Sequence, residues 1–437
     1  MAWPLAILLI FGCLVALMIT GMPIFIAFML TCIVGALLFW GGMAGMDTLL
    51  TSVFSSVTSF VFLPVPLFVL MGNIIFESGV GTNVVDAVDK VLGRLPGRLS
   101  ILAIGAGVLL GTMIGISGGS IAVLGKSLVP EMSRRGYKKP MTLGPIVASG
   151  TLAVLIPPSA LAVIIGALGK VSIGKLLIAI IPPGLLVAVL FCAYIIIRCK
   201  LQPDLAPSYT LARVPVLEKI SVTARYILPV GIVIFAAIGV IFLGIATPTE
   251  AAALGAIACY ILAALYRKLN WRMIKESAKS TIQISVMVLM IMTASLSFSR
   301  VLVSSGAIAG LVKLSTELIV PSAVIVIATQ LVVVFLGCFM DPASIVMISV
   351  PIFFPIVQAL HYDMLWYALL LLVNIQLGLI TPPFGLDVYT MKALSPADVT
   401  LGDVFRSSMP FLAIGFLLMV IIWVYPPLVL WLPSVVR

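Results

Sequence analysis

Charge is scarce in this chain: Asp, Glu, Lys and Arg make up only 9% of its 437 residues, against 62% hydrophobic. No soluble domain of this length could cover so much apolar surface, so the bilayer must be its solvent. Basic residues are missing altogether before Lys90. Residues 1–20 therefore lack the basic n-region of a cleaved leader and are expected to be a retained span. There is one histidine, His361, which excludes a multi-His metal site. The six cysteines are scattered, with no CxxC pair, and read as small buried hydrophobes. No Ser/His/Asp set, Walker loop, GxGxxG after a strand or metal-ligand cluster occurs. These gaps argue against an enzyme and against nucleotide-driven work, leaving an ion gradient as the energy source. The net charge of +10 is not read as a nucleic-acid footprint, because loop charges that orient a membrane protein explain it.

What the chain does have is an internal repeat. An ungapped shift of 225 residues lays Pro4 on Pro229, Pro23 on Pro248, Pro96 on Pro321, Pro130 on Pro355, Pro157 on Pro382 and Pro158 on Pro383. Gly81 falls on Gly306 and Tyr137 on Tyr362 in the same register. Six of the fourteen prolines within reach match, where the chain's own proline frequency would give about one, so the register is not accidental. Proline and glycine fix backbone kinks, and repeats kept in their kinks are how many secondary transporters are built.

Apolar runs near 20 residues recur throughout, long enough for roughly 30 Å of hydrocarbon. They suggest ten crossings and two further segments, at about 101–130 and 325–355. Trp3, Trp40, Trp271, Trp366, Trp423 and Trp431 lie near segment ends, as an interfacial belt would. Five basic clusters, around Arg94, Arg134, Arg213, Lys275 and Lys392/Arg406, are placed in the cytoplasm. Two of them flank segment 101–130, so both its ends lie on one side and it reads as a re-entrant hairpin. Segment 325–355 is poor in flanking cations and reads as its counterpart on the opposite side.

The expected fold is thus an all-α polytopic membrane protein of two inverted-topology repeats. Each repeat has a re-entrant helical hairpin and a transmembrane helix broken at Pro-Pro. The expected division is scaffold 1–89, transport region 90–197, a cytoplasmic linker 198–225, scaffold 226–312 and transport region 313–437.

Four backbone irregularities carry the expected chemistry. The hairpin tips are Ser117-Gly118-Gly119-Ser120 and Asp341-Pro342-Ala343-Ser344. The broken crossings hold Ser149, Gly150, Pro157, Pro158 and Ser159, then Asn374, Gly378, Thr381, Pro382, Pro383 and Gly385. Tandem prolines remove amide donors and should stop one half-helix and start another in mid-membrane. Bare carbonyls at half-helix C-termini attract cations, and bare amides at N-termini attract carboxylates. One Na⁺ site per repeat is expected, between a tip and the adjacent break. The sodium set is Ser117, Gly118, Gly119, Ser120, Ser149, Gly150, Asp341, Pro342, Ala343, Ser344, Asn374, Gly378 and Thr381. A carboxylate substrate is expected near Ser120, Pro158, Ser159, Ser344, Thr381, Pro383 and Gly385. Sodium is the only metal expected, as a coupling ion, with no cofactor. Asp341 reads either as a functional intramembrane charge or as a rim residue. Glu250 reads as a helix cap, Lys126 as snorkelling or lining a cytoplasmic vestibule, and Arg300 and Asp387 as contacts to an anionic substrate or a partner.

At these residues the chain resembles the large membrane subunit of TRAP (tripartite ATP-independent periplasmic) transporters. The matching stretches are Leu92-Gly-Arg-Leu-Pro-Gly97, Gly115-Ile-Ser-Gly-Gly-Ser-Ile-Ala122, Ile156-Pro-Pro-Ser159, Gly244-Ile-Ala-Thr-Pro-Thr-Glu-Ala-Ala252, Met340-Asp341 and Leu379-Ile-Thr-Pro-Pro-Phe-Gly385. One departure is Val123, where members often carry Asp; backbone ligands at the first ion site survive it. The resemblance implies an elevator mechanism in a bacterial inner membrane and sodium-coupled uptake of organic acids. It also implies two separate partner chains, a small four-helix membrane subunit and a soluble periplasmic substrate-binding protein. The alternative is a self-sufficient divalent-anion/sodium symporter with similar hairpins.

Overall fold

The computed structural model describes residues 3–92, 95–114, 117–207, 215–317, 319–338, 340–383 and 385–435. Arg94 and Arg213 of the basic clusters, Gly115 and Ile116 before the first tip, and Phe384 in the second break lie outside these residues. The described residues are helical throughout, joined by turns and short irregular stretches.

Among the described residues, length and apolarity alone mark seven helices able to cross a membrane, or eight if the bent pair Lys139–Leu155 and Ala160–Leu168 is one span. Trp3–Ile19, Ile24–Phe39 and Met364–Gly378 are apolar but shorter. The seven include Pro342–Ala359, which the sequence reads as a hairpin arm. Trp271–Ser304 has 34 residues and is about 51 Å long, well beyond the hydrocarbon thickness. Its first turns hold Trp271, Arg272, Lys275 and Lys279 on an exposed face, as an entry through the interface requires. Val216 already starts a helix inside the stretch read as linker, and Leu217–Phe242 forms one span.

Trp271–Ser304 packs against the first helices of the chain. Gly35 makes this approach possible, since a Cβ there would lie 2.3 Å from a Val301 methyl. Phe28 and Phe298 meet edge to face at 4.8 Å beside it. Pro248–Leu265 packs on Pro64–Ser78. Thr247 and Glu250 form a reciprocal capping box at its start, so Glu250 is a cap, as its spacing suggests.

Two helical hairpins form the other part of the molecule: Arg98–Ile114 with Ser117–Arg134, and Ser322–Gly337 with Pro342–Ala359. Each is tied at its base. The Leu99 N–H donates to the Tyr137 hydroxyl at 3.3 Å, and the Ser100 hydroxyl to the Met141 carbonyl at 2.6 Å. In the second hairpin Ser322 Oγ and the Tyr362 hydroxyl lie 3.2 Å apart. The beginning and end of each hairpin therefore meet. Tyr137 and Tyr362 are the pair that the 225-residue shift superimposes.

Trp366 lies at the start of Met364–Gly378 but does not face lipid: it is 4% exposed, its indole N–H donates to the Ile422 carbonyl at 3.0 Å, and its ring stacks on Tyr362. A buried indole is stable here because that carbonyl satisfies its one donor.

Candidate functional site

Each hairpin lies on its own broken helix, and glycine sets how close it comes. In the first, a Cβ on Gly107 would sit 2.5 Å from Ser149 Cβ, and one on Gly111 would sit 2.6 Å from Ala153 Cα. Small residues four apart on both helices let the backbones touch. In the second, a Cβ on Gly337 or on Gly378 would sit 2.7 Å from the Cα of the other. Ala153 and Gly378 are again 225 positions apart.

The breaks follow. Lys139–Leu155 ends before Pro157-Pro158, and Ala160–Leu168 resumes with Ser159 as its N-cap, accepting from Ala162 N at 3.3 Å. Met364–Gly378 ends before Pro382-Pro383, and Leu386–Leu394 resumes after Gly385, whose φ of +53° favours glycine. Both Pro-Pro bonds are cis. Around Gly385 the Leu379 and Thr381 carbonyls converge, 3.1 and 3.3 Å from where its Cβ would stand. Leu379 is the C-cap of the stopped helix and its carbonyl already accepts from Asp387 N at 3.2 Å, while the Thr381 carbonyl lies in the break just beyond.

The halves exchange their second half-helices. The Ser117–Arg134 arm packs on Leu386–Leu394, and the Pro342–Ala359 arm packs on Ala160–Leu168. The two broken helices also pack on each other. Tips and breaks thus gather into one central region.

The expected ligands fall into three groups. At the first site Ser117 O lies 3.4 Å from where a Gly150 Cβ would be, which places tip and break together. Ser149 Oγ donates to Ile146 O at 2.5 Å. Ser120 Oγ is buried with no hydrogen-bond partner among the described residues. Gly118 faces open space and Gly119 is half-buried. At the second site Asp341 caps the arm that begins at Pro342-Ala343, accepting from Ser344 N at 3.1 Å and from the Ser344 hydroxyl. Cys338 Sγ reaches the Pro382 carbonyl at 3.3 Å, which holds this hairpin to its break. Thr381 Oγ1 donates to Leu377 O at 2.7 Å. Asn374 turns to Gln330 on the first hairpin arm, donating to its backbone and side-chain oxygens at 2.7 and 2.8 Å. Asn374 Oδ1 is buried without a partner among the described residues. The third group, the expected substrate contacts, is uneven: Pro158 and Ser159 are buried, whereas Pro383 is exposed.

Several contacts escape sequence reasoning. Ser117 Oγ donates at 2.8 Å to Oδ1 of Asp387, which lies on the half-helix after the other break. The only signal was a lone acid two residues past Gly385 in an apolar segment. Gly107, Gly111 and Gly337 carried no signal beyond being small. Arg300 donates to Ser55 Oγ at 3.2 Å from an exposed position, and Lys126 is exposed.

The family model of the DctM component of tripartite ATP-independent periplasmic transporters matches residues 11–428. A C4-dicarboxylate TRAP transporter large permease protein DctM of Pseudomonas aeruginosa is 30% identical over 394 residues, 89% of each chain. The ectoine TRAP transporter large permease protein TeaC of Halomonas elongata is 28% identical, covering 96% of each. The 2,3-diketo-L-gulonate TRAP transporter large permease protein YiaN of Escherichia coli is 28% identical, covering 98% of each. Among solved structures, the YdaH transporter of Alcanivorax borkumensis shares the fold, with a TM-score of 0.63 at 18% identity over 90% of this chain and 91% of that one. Together with the apolar spans and the two hairpins on proline-broken helices, these matches place the chain in the DctM family: it is a multi-pass inner-membrane large permease component of a TRAP transporter, and not an enzyme.

Proposed function

We propose that this permease imports organic acids, driven by sodium and fed by a soluble periplasmic binding protein, with a small membrane subunit beside it. The two halves act as inverted copies, 90–197 and 313–437 moving as a transport domain against 1–89 and 226–312. The observation that carries this reading is the twofold recurrence, at one offset, of a tyrosine-tied hairpin pressed onto a Pro-Pro-broken helix. Interrupted helices expose main-chain dipoles at the centre of the molecule. The Leu379 and Thr381 carbonyls suit a hard cation, and the starts of the half-helices suit a carboxylate. Relatives named for C4-dicarboxylates, ectoine and 2,3-diketo-L-gulonate support an acid as cargo. Uptake depends on the partners because the permease only accepts what the binding protein presents.

The test is uptake into proteoliposomes holding this chain with the small-subunit and binding-protein products of neighbouring genes. Replacing external Na⁺ with choline should lower uptake to background. Undiminished uptake in choline refutes the sodium coupling. Full uptake by the permease alone favours the self-sufficient symporter.

A further inference from the structure

Asp387 is 3% exposed, and one of its two carboxylate oxygens is accounted for. Oδ1 accepts from Ser117 Oγ at 2.8 Å, while Oδ2 is buried with no partner among the described residues. The half-helix that carries it packs on Ser117–Arg134, on Lys139–Leu155 and on Leu401–Val424. The charges on those helices are committed elsewhere or face outward. Lys139 pairs with Asp403 at 2.9 Å, and Glu131 with Arg134 at 2.9 Å and also with Arg135. Lys126 and Arg406 are exposed. Lys392, on the same helix as Asp387, projects about 140° round from it.

A carboxylate at this depth with no basic partner is costly. The start of the Leu386–Leu394 helix favours it, but a helix terminus offsets only a small part of the lost hydration. Other oxygens lie on the same hairpin tip as Ser117. Ser120 stands one turn beyond Ser117 on the same side of the arm, and its buried Oγ is also without a partner among the described residues. The Ser117 carbonyl faces Gly150. A carboxylate, two hydroxyls and a carbonyl, with no proton donor to spare beyond the serines, form the ligand set of a hard cation.

We propose that Asp387 is a sodium ligand shared across the two halves, giving the ion site at the tip of the first hairpin a full negative charge. The assignment rests on the sodium reading above and adds to it a residue from the opposite repeat. Filling the site ties the first hairpin tip to the second broken helix, so that one half registers the ion bound by the other. Without sodium the carboxylate is uncompensated, and the Ser117 hydrogen bond is the polar tie between tip and helix that the described residues show.

Thermal unfolding of the full chain, purified in detergent, tests this. Sodium chloride is titrated against choline chloride at constant ionic strength. In the wild type the midpoint should rise with Na⁺, since a ligand of the folded state stabilises it by mass action. D387N should melt at or above wild type in choline, because a buried unpaired charge is gone. Its half-maximal Na⁺ concentration should rise about tenfold or more. Ser120→Ala leaves the carboxylate in place and should raise that concentration by about threefold to tenfold. It carries the test if D387N yields no protein. A D387N midpoint below wild type in choline, with an unshifted Na⁺ response, would show a purely structural hydrogen bond and overturn the assignment alone. A wild type indifferent to Na⁺ overturns the sodium reading and this assignment together.

Discussion

Gly378→Val should reduce sodium-driven uptake by about a hundredfold or more while leaving the chain inserted in the membrane. A Cβ at 378 would stand 2.7 Å from Gly337 Cα and 3.2 Å from its carbonyl carbon. Both are backbone atoms, so no rotamer change relieves the clash and the second hairpin must lift from its broken helix. One added methylene in a well-packed contact costs about 1–3 kcal/mol, or roughly 5–150-fold in the docked population. Gly378→Ala should fall in that range, and valine beyond it. Lifting the hairpin also breaks the contact between Cys338 and the Pro382 carbonyl. Gly231→Ala is the control, since nothing lies within 4 Å of where its Cβ would be. Uptake normalised to membrane-inserted protein gives the readout, and wild-type flux in Gly378→Val would show that this contact is not part of the working cycle.

The second large effect is expected at Asp341, where two roles can be separated. Its carboxylate caps Pro342–Ala359 through Ser344. Losing an N-cap to alanine costs about 0.5–2 kcal/mol, whereas Asn caps about as well as Asp. Asp341→Ala should therefore loosen the second hairpin tip and cut uptake by about tenfold or more, at any sodium concentration. Asp341→Asn keeps the cap and removes only the charge. If Asp341 also faces the second sodium ion, the Asn variant should reach near-normal uptake only when Na⁺ is raised about tenfold. Sodium dependence equal to wild type in Asp341→Asn would make this residue a helix cap alone. Substituting Ser344 by Ala, which removes the hydroxyl that donates to Asp341, should resemble the milder of the two.

Much of this arrangement was legible because proline and glycine act locally. Pro157-Pro158 and Pro382-Pro383 stop helices whatever surrounds them, and both breaks lie where the tandem prolines stand. Thr247-Pro-Thr-Glu250 announces a capping box by spacing alone, and the box is present. What was not legible depends on which helix lies beside which. Lys139–Leu155 and Met364–Gly378 are buried on every side, so no apolar stripe marks the face that meets a hairpin. The contacts of Gly337 with Gly378 and of Ser117 with Asp387 join residues 41 and 270 positions apart, and no local pattern encodes either. The burial of Trp366 was not legible for a related reason, since the Ile422 carbonyl that takes up its N–H belongs to a distant helix.

The claim that most needs a direct test is that the two hairpins enter the membrane from opposite faces. Ser133 and Gln358 stand 225 residues apart, both exposed, each near the base of its own hairpin. Single cysteines placed there in a background stripped of the six native ones can be probed with a membrane-impermeant maleimide, in intact cells opened only to the periplasm and in inside-out vesicles. Ser133→Cys should label only in the vesicles and Gln358→Cys only in the cells. Labelling of both from the same side would contradict the antiparallel arrangement on which the proposed transport cycle rests.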